Sequence, residues 1–304
     1  MTIHLKQIAC LILPVLLCSA ADKAAGADHG EMPAIELTRL AEFPPPSQSA
    51  YVQGGTVTST GLLMAFTCPE EANPLLMLDT ETWQPVLSKT EDLSHANDLC
   101  YVSGEIYVLP MDAPQIVVLE EETLSVKRTI DTPQTYHAIG YDEEQNRFAA
   151  IYSEGKGAAK RLICDILDPS CSKVLSSFPA DTNLVYQGLA VHDGKVYYSC
   201  WKRGEGKRDH KTVYDDLLKI NDNVIYVYDF EGNLIDAMLI RKPEGYTTFE
   251  IETVSFLGDQ MILLFNENLA DEDNTLMTGV YGQAAECRNG LYVSVEPEGN
   301  DRSL

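Results

Sequence analysis

The sequence predicts an all-β protein, a five-bladed β-propeller with four antiparallel strands per blade. Three observations predict it. Five segments repeat one pattern, four of them are followed by a second hairpin, and a spare strand near the N-terminus matches a strand missing from the last repeat. Repeats are sought first because a fixed period is the signature of propellers and solenoids.

Each repeat opens on a polar residue, in most cases followed by a small one, then an alternating strand, a turn and a second strand. The five are Gln53-Gly54 leading to Gly61–Phe66, His95-Ala96 leading to Gly104–Leu109, His137-Ala138 leading to Asn146–Ile151, Gln187-Gly188 leading to Gly194–Ser199, and Glu250-Ile251 leading to Gly258–Leu263. Successive starts differ by 42, 42, 50 and 63 residues. Blades are therefore expected to begin near residues 51, 94, 136, 186 and 249.

The second hairpins run from Leu75–Asp79 to Trp83, from Ile116–Leu119 to Val126, from Leu162–Cys164 to Val174, and from Val224–Asp229 to Leu234. Their turns, Asp79–Thr82, Glu120–Thr123, Asp168–Ser170 and Phe230–Asn233, are mostly rich in residues that bend the chain. Four short strands in roughly forty residues is the size of one propeller blade.

The fifth unit is expected to end with Gly290–Val295 and lacks a fourth strand, whereas Ile35–Glu42 reads as a strand with no partner. Letting that N-terminal strand complete the last blade removes a sheet edge and closes the ring. A six-bladed propeller, or a β-sandwich, is the alternative, but no sixth repeat unit is present. Only Thr212–Ile220 is compatible with a helix.

The first residues are expected to lie outside this fold. Met1–Gln7 carry Lys6 and no acid, Ile8–Leu17 are apolar, and small residues follow at Cys18–Ala20 and Ala25–Ala27. That order is the order of a secretory signal, with cleavage after Ala20 or Ala27. About ten apolar residues cannot span a bilayer that needs about 20. The expectation is a signal peptide and short linker over 1–27, a single domain over 28–304, and a secreted or periplasmic, monomeric protein without a membrane span.

The formal net charge is −24, from 46 acids and 22 bases. General nucleic-acid binding is disfavoured, because that affinity comes from neutralising phosphates. Six cysteines follow the signal, at 68, 100, 164, 171, 200 and 287, and an exported chain permits disulfides. Cys164 and Cys171, flanking a hairpin turn, form the best expected pair. The absence of any C-x-x-C argues against a cysteine zinc site.

In a propeller the innermost strands line the axis, so the residues opening them form a ring at one mouth. Alignment places Gln53, His95, His137, Gln187 and Glu250 in that ring, followed by Gly54, Ala96, Ala138 and Gly188, small enough for the backbones to converge. Two positions after the ring stand Gly55, Asn97, Ile139, Leu189 and Glu252, with Asp98 adjacent to Asn97. Polar residues around an axis also serve simply to hold ordered water. Two histidines with three acids exceed what a spacer needs.

The expected binding residues are accordingly Gln53, Asn97, His137, Gln187 and Glu250. Asp98, Glu252 and His95 are the candidate catalytic groups, and His95, His137 and Glu252 could hold a divalent metal, calcium or zinc. Long segments at Trp201–Asn223 and Asn266–Asn289 are expected to wall one side of the mouth. The first of them carries Lys202, Arg203, Lys207, Arg208, His210 and Lys211, a basic run able to grip a carboxylate or phosphate. Asp271–Thr275 starts like a calcium loop but lacks its Gly and closing Glu, and Ser170–Lys173 fits S-x-x-K in a hairpin rather than on a helix. No G-x-S-x-G, H-E-x-x-H or phosphate-binding glycine loop occurs.

Gln53-Gly54-Gly55, His95-Ala96-Asn97-Asp98, Tyr136 through Ala138-Ile139 to Tyr141-Asp142, Gln187-Gly188 and Glu250-Ile251-Glu252 stand in this order. The set resembles a group of secreted bacterial five-bladed propellers that carry Q-G-G, H-A-N-D, Y-A-I-x-Y, Q-G and E-x-E at these places. The resemblance spans the whole mature chain, and His95–Asp98 is its most specific element. This chain departs by inserting His137 in the third motif and by enlarging the wall segments. The family has no settled activity, so the resemblance implies the fold and little chemistry. A looser likeness, of fold only, is to plant-type glutaminyl cyclotransferases.

Two functions follow as expectations. One is a binding protein that takes a small polar ligand, glycan or peptide at the mouth of its channel. The other is a hydrolase or lyase on a carbohydrate-like substrate, with paired carboxylates as acid and base. A surface protein binding partners by its rim is a third, weaker option.

Overall fold

The computed structural model describes residues 34–44, 46, 50–68, 72–155, 161–180, 185–201, 223–269 and 276–283. The expected signal segment at 1–27, Cys287, Thr212–Ile220, Gly290–Val295 and the basic run at 202–211 lie outside the described residues, as do 271–275.

The chain opens with β1 (Leu37–Phe43) and then makes five four-stranded antiparallel sheets in a ring. Blade one is β2 (Tyr51–Val57), β3 (Leu62–Thr67), β4 (Asn73–Leu78) and β5 (Pro85–Glu91). Blade two is β6 (Ala96–Val102), β7 (Glu105–Pro110), β8 (Gln115–Glu120) and β9 (Val126–Asp131). Blade three is β10 (Ala138–Asp142), β11 (Arg147–Glu154), β12 (Arg161–Leu167) and β13 (Val174–Pro179). Blade four is β14 (Val185–His192), β15 (Lys195–Trp201), β16 (Asn223–Tyr228) and β17 (Leu234–Ile240). Blade five is β18 (Tyr246–Leu257), β19 (Gln260–Leu269) and β20 (Met277–Gln283), completed by β1. This is a five-bladed β-propeller, and among the described residues there is no helix, hence none long and apolar enough to cross a membrane.

The N-terminal strand closes the last blade as the sequence predicts. Leu37 pairs with Gln283 and Phe43 with Thr278. The third strand of that blade is Met277–Gln283 rather than the expected Gly290–Val295, and the segment before it is shorter than the expected wall, because β19 continues to Leu269. Ile35 also donates its N–H to the Leu239 carbonyl at 2.9 Å, so the N-terminal segment touches blade four as well.

Local sequence explains the turns. Asp79, Asp168 and Asp229 accept backbone N–H bonds from residues two to five positions ahead, an Asx geometry that starts the outer hairpins. In all four outer hairpins the ladder slips one step near the turn, at Met77/Leu78, Val118/Leu119, Ile166/Leu167 and Val227/Tyr228. The same irregularity at the same place is the repeat seen in three dimensions.

The core is split into five clusters, each shared by two neighbouring blades. Leu63, Ala65, Leu75 and Met77 of blade one meet Leu99, Ile106 and Val108 of blade two. Leu62, Met64 and Phe66 meet Ile262, Leu264 and Val280 of blade five. Alternate residues of β3 therefore face opposite neighbours, which is why Leu62–Phe66 is a continuous apolar run with every side chain buried.

Those two-sided sheets also decide the cysteines. Cys164 packs in the cluster between blades three and four, whereas Cys171 packs in the cluster between blades two and three. The expected Cys164–Cys171 disulfide is not formed, and both are free thiols. They sit on opposite faces of one sheet, and burial pushes both thiols up, Cys171 to about 12.

Candidate functional site

The residues that open β2, β6, β14 and β18 share a feature the sequence did not reveal. Each of these inner strands carries an extra residue relative to its partner, and β18 carries a second at Thr247. The register slips between Val52 and Gly54, between Ala96 and Asp98, between Tyr186 and Leu189, and between Ile251 and Thr253. The bulged residues are Gln53, Asn97, Gln187 with Gly188, and Glu252. A bulge breaks the in–out alternation and re-aims its side chain. In blade three the ladder begins at Ala138, with the His137 N–H donating to the Ile151 carbonyl at 2.7 Å. The structural ring thus equates Gln53 with Asn97 and Glu252, not with His95 and Glu250 as sequence alignment does.

The re-aimed side chains bond across blades. Gln53 Nε2 donates to Glu252 Oε2 at 3.2 Å, and Gln53 Oε1 is bonded to His95 Nε2. Asn266 Nδ2 donates to Glu252 Oε1 at 2.6 Å and to the Val52 carbonyl at 2.9 Å, while Asn266 Oδ1 accepts the Val52 N–H at 3.1 Å. Gln187 Nε2 donates to Glu250 Oε1 at 2.9 Å. Asn97 Nδ2 donates to the His137 carbonyl, and the His137 ring stacks on Tyr186 with centroids 4.9 Å apart. Tyr51 meets His95 edge-on at 6.4 Å.

Burial sets the protonation states. Glu252 is 1 % exposed, and burial followed by the charge of Glu250 pushes its carboxyl well above the usual range. Burial lowers His95, which favours the neutral ring. Because Gln53 presents its carbonyl oxygen, Nε2 of that ring is the protonated nitrogen and Nδ1 its acceptor. The mouth therefore offers three amides, a neutral imidazole, a stacked His–Tyr pair and one half-buried carboxylate, Glu250.

Asp98 does not join this mouth. It is fully buried, and its Oδ2 accepts the N–H groups of Ile139 at 2.9 Å and Leu189 at 3.0 Å. Its Oδ1 lies 3.3 Å from Thr253 Oγ1, which is 3.4 Å from the Gly55 carbonyl. One carboxyl of blade two thereby reaches blades three, four and five, and Thr253 extends the chain to blade one. Burial pushes this carboxyl up to about 8. It is a staple across the axis, closed to solvent.

The blades touch at this level. A Cβ on Gly188 would stand 2.4 Å from Thr253 Oγ1 and 2.9 Å from Thr253 Cα, and one on Gly54 would stand 2.8 Å from Asp98 Cα. The small residues read from the sequence are needed here for close approach.

The expected metal set is not brought together. Among the described residues no three His, Cys, Asp or Glu side chains are placed to hold a metal ion. His95 engages Gln53 and His137 packs on Tyr186, so the structure does not assemble His95, His137 and Glu252 as ligands.

No family model matches the chain, and no curated protein matches it. Solved structures do. Glutaminyl cyclase from Myxococcus xanthus aligns with a TM-score of 0.53 and 11% identity over 83% of this chain and 99% of that one. A member of the DUF4221 family from Bacteroides vulgatus aligns with a TM-score of 0.41 and 10% identity, over 83% and 99%. Hydrazine synthase of Kuenenia stuttgartiensis aligns with a TM-score of 0.41 and 11% identity, over 71% and 64%. At such identities the likeness to the cyclase is one of fold.

Proposed function

We propose that this propeller is an exported binding protein that takes a small, neutral, polar ligand, a sugar or a peptide amide, at the mouth lined by Gln53, His95, Asn97, His137, Gln187 and Glu250. The observation that carries the reading is the set of bulges near the start of four inner strands, whose amide and carboxyl side chains bond across blades. Bulges concentrate where a fold re-aims side chains for a site. The donors and acceptors are mixed, and Glu252 is held away from its charged form, so the mouth suits hydroxyl and amide groups better than ions. The stacked His137–Tyr186 pair supplies a flat face for a sugar ring or a peptide plane.

Calorimetric titration with a panel of neutral mono- and disaccharides and capped dipeptides tests this. A ligand is expected to bind without turnover. Glu250→Ala and His95→Ala are each expected to weaken it about tenfold or more, the loss of one to two hydrogen bonds in a partly dry site. If no member of the panel binds, or both variants bind unchanged, the mouth is not the site.

A second reading rests on the coupled carboxyls. Burial, and after it the charge of Glu250, raises Glu252, which suits Glu252 to the role of the acid and leaves Glu250 as the candidate base, the division of roles that hydrolases require. The protein would then turn over a carbohydrate-like substrate, and Glu252→Gln would abolish turnover while leaving the fold intact.

A further inference from the structure

The axial staple divides the propeller into two ends, and a cavity lies at the end away from the mouth. It measures about 530 Å³ and is lined by all five inner strands. Its floor is apolar: Leu99, Leu189 and Val254 are 1–2 % exposed and lie just beyond the Asp98 level. Its walls are aromatic. Tyr141 is pinned by its hydroxyl on Asn146 Oδ1 at 3.0 Å, and Phe256 stacks on His192 with centroids 4.1 Å apart and planes 8° apart. These faces are set before any ligand arrives.

Its rim is acidic. Glu143 and Glu144 stand exposed on the turn after β10. No Lys or Arg lines the cavity among the described residues. The nearby cations are already engaged: Arg147 is held by Asp142 at 3.0 Å and lies over the Phe230 ring, and Lys195 reaches Asp193 at 3.4 Å. Neither of these two cations is paired with Glu143 or Glu144.

A volume of this size, an apolar floor and a few convergent polar groups are what a small-molecule site shows. Aromatic walls beside a pair of exposed carboxylates on one turn select for a cation, because ring faces and carboxylates attract the same charge. We propose that this second basin binds an amphipathic organic cation, an aromatic or aliphatic body seated on Leu99, Leu189 and Val254 with its ammonium or guanidinium head between Glu143 and Glu144. This site is independent of the polar mouth.

Phenethylamine is the probe, with 2-phenylethanol as its neutral counterpart and 3-phenylpropanoate as its anionic one, titrated calorimetrically at low salt. Phenethylamine is expected to bind saturably, at least tenfold more tightly than the alcohol, with no binding of the anion. The double variant Glu143→Gln/Glu144→Gln, whose changes fall on an exposed turn, is expected to melt normally and to bind the amine at least fivefold more weakly. Tyr141→Ala is expected to weaken amine and alcohol alike. Glu250→Gln, which acts at the other mouth, is expected to leave phenethylamine binding in the basin unchanged. No binding of phenethylamine, equal affinity for amine and alcohol, full affinity in the double variant, or loss of binding in Glu250→Gln would each overturn the proposal.

Discussion

Replacing Asp98 separates two effects that act on the same carboxyl. Asp98→Ala leaves the N–H groups of Ile139 and Leu189, now bonded at 2.9 and 3.0 Å, buried without an acceptor. Each such orphan costs about 1–3 kcal/mol, so the variant is expected to lose about 4 kcal/mol. In a domain of this size that lowers the melting temperature by roughly 10 °C. Asp98→Asn behaves differently. Its carbonyl oxygen keeps both backbone bonds, and its NH₂ faces Thr253 Oγ1, whose own proton is then left for the Gly55 carbonyl. The variant is expected to match the wild type at pH 4.

The two then diverge with pH. The folded-state value of Asp98 is raised to about 8, so its stabilising contribution is complete below the unfolded value near 4 and is lost as pH rises through 8. Asparagine does not titrate, so Asp98→Asn is expected to become the more stable protein, by on the order of 5 kcal/mol by pH 8. Glu252 and Glu267 are also raised by burial, but they are common to both proteins and cancel in the difference. Urea unfolding followed by tryptophan fluorescence between pH 4 and 8 measures this. A gap that stays constant with pH, or an Asn variant as unstable as the Ala variant, would refute the assignment of Asp98 as a largely protonated axial staple.

Three further outcomes are expected. Arg39 of β1 donates to Tyr281 at 2.9 and 3.0 Å and to the buried Glu267 at 3.2 Å, so Arg39→Ala is expected to cost about 2 kcal/mol, less than a fully buried pair because Arg39 is a third exposed, and Arg39→Ala/Glu267→Gln to recover part of it in thermal melts. Gly188→Ala drives a methyl into Thr253 and is expected to destabilise by about 2 kcal/mol or more, with a smaller loss when Thr253→Ser is added. Cys164 and Cys171 are expected to resist maleimide labelling in the native state and to react on unfolding, whereas a labelling pattern independent of denaturant would contradict their burial.

Much of the fold is legible in the chain because its signals are local. Apolar runs such as Leu62–Phe66, turn residues such as Asp79 and Gly194, and the unpaired strand near Ile35 each depend on neighbours a few residues away. Repetition of those signals determines the number of blades, and the missing fourth strand determines that the N-terminus closes the ring. The polar character of one mouth is equally readable. Tertiary structure decided the rest. Which polar residue turns inward depends on a bulge, one extra residue in a ladder, and that is set by how closely Gly54, Gly188 and Thr253 let adjacent blades approach. The same approach buries Asp98, which the sequence places beside Asn97 at the mouth, and turns it from a candidate acid into a staple. Sheet faces separate Cys164 from Cys171 although only six residues lie between them. The basin at the far end exists because five strand ends converge there from positions up to two hundred residues apart, a proximity that no local pattern encodes.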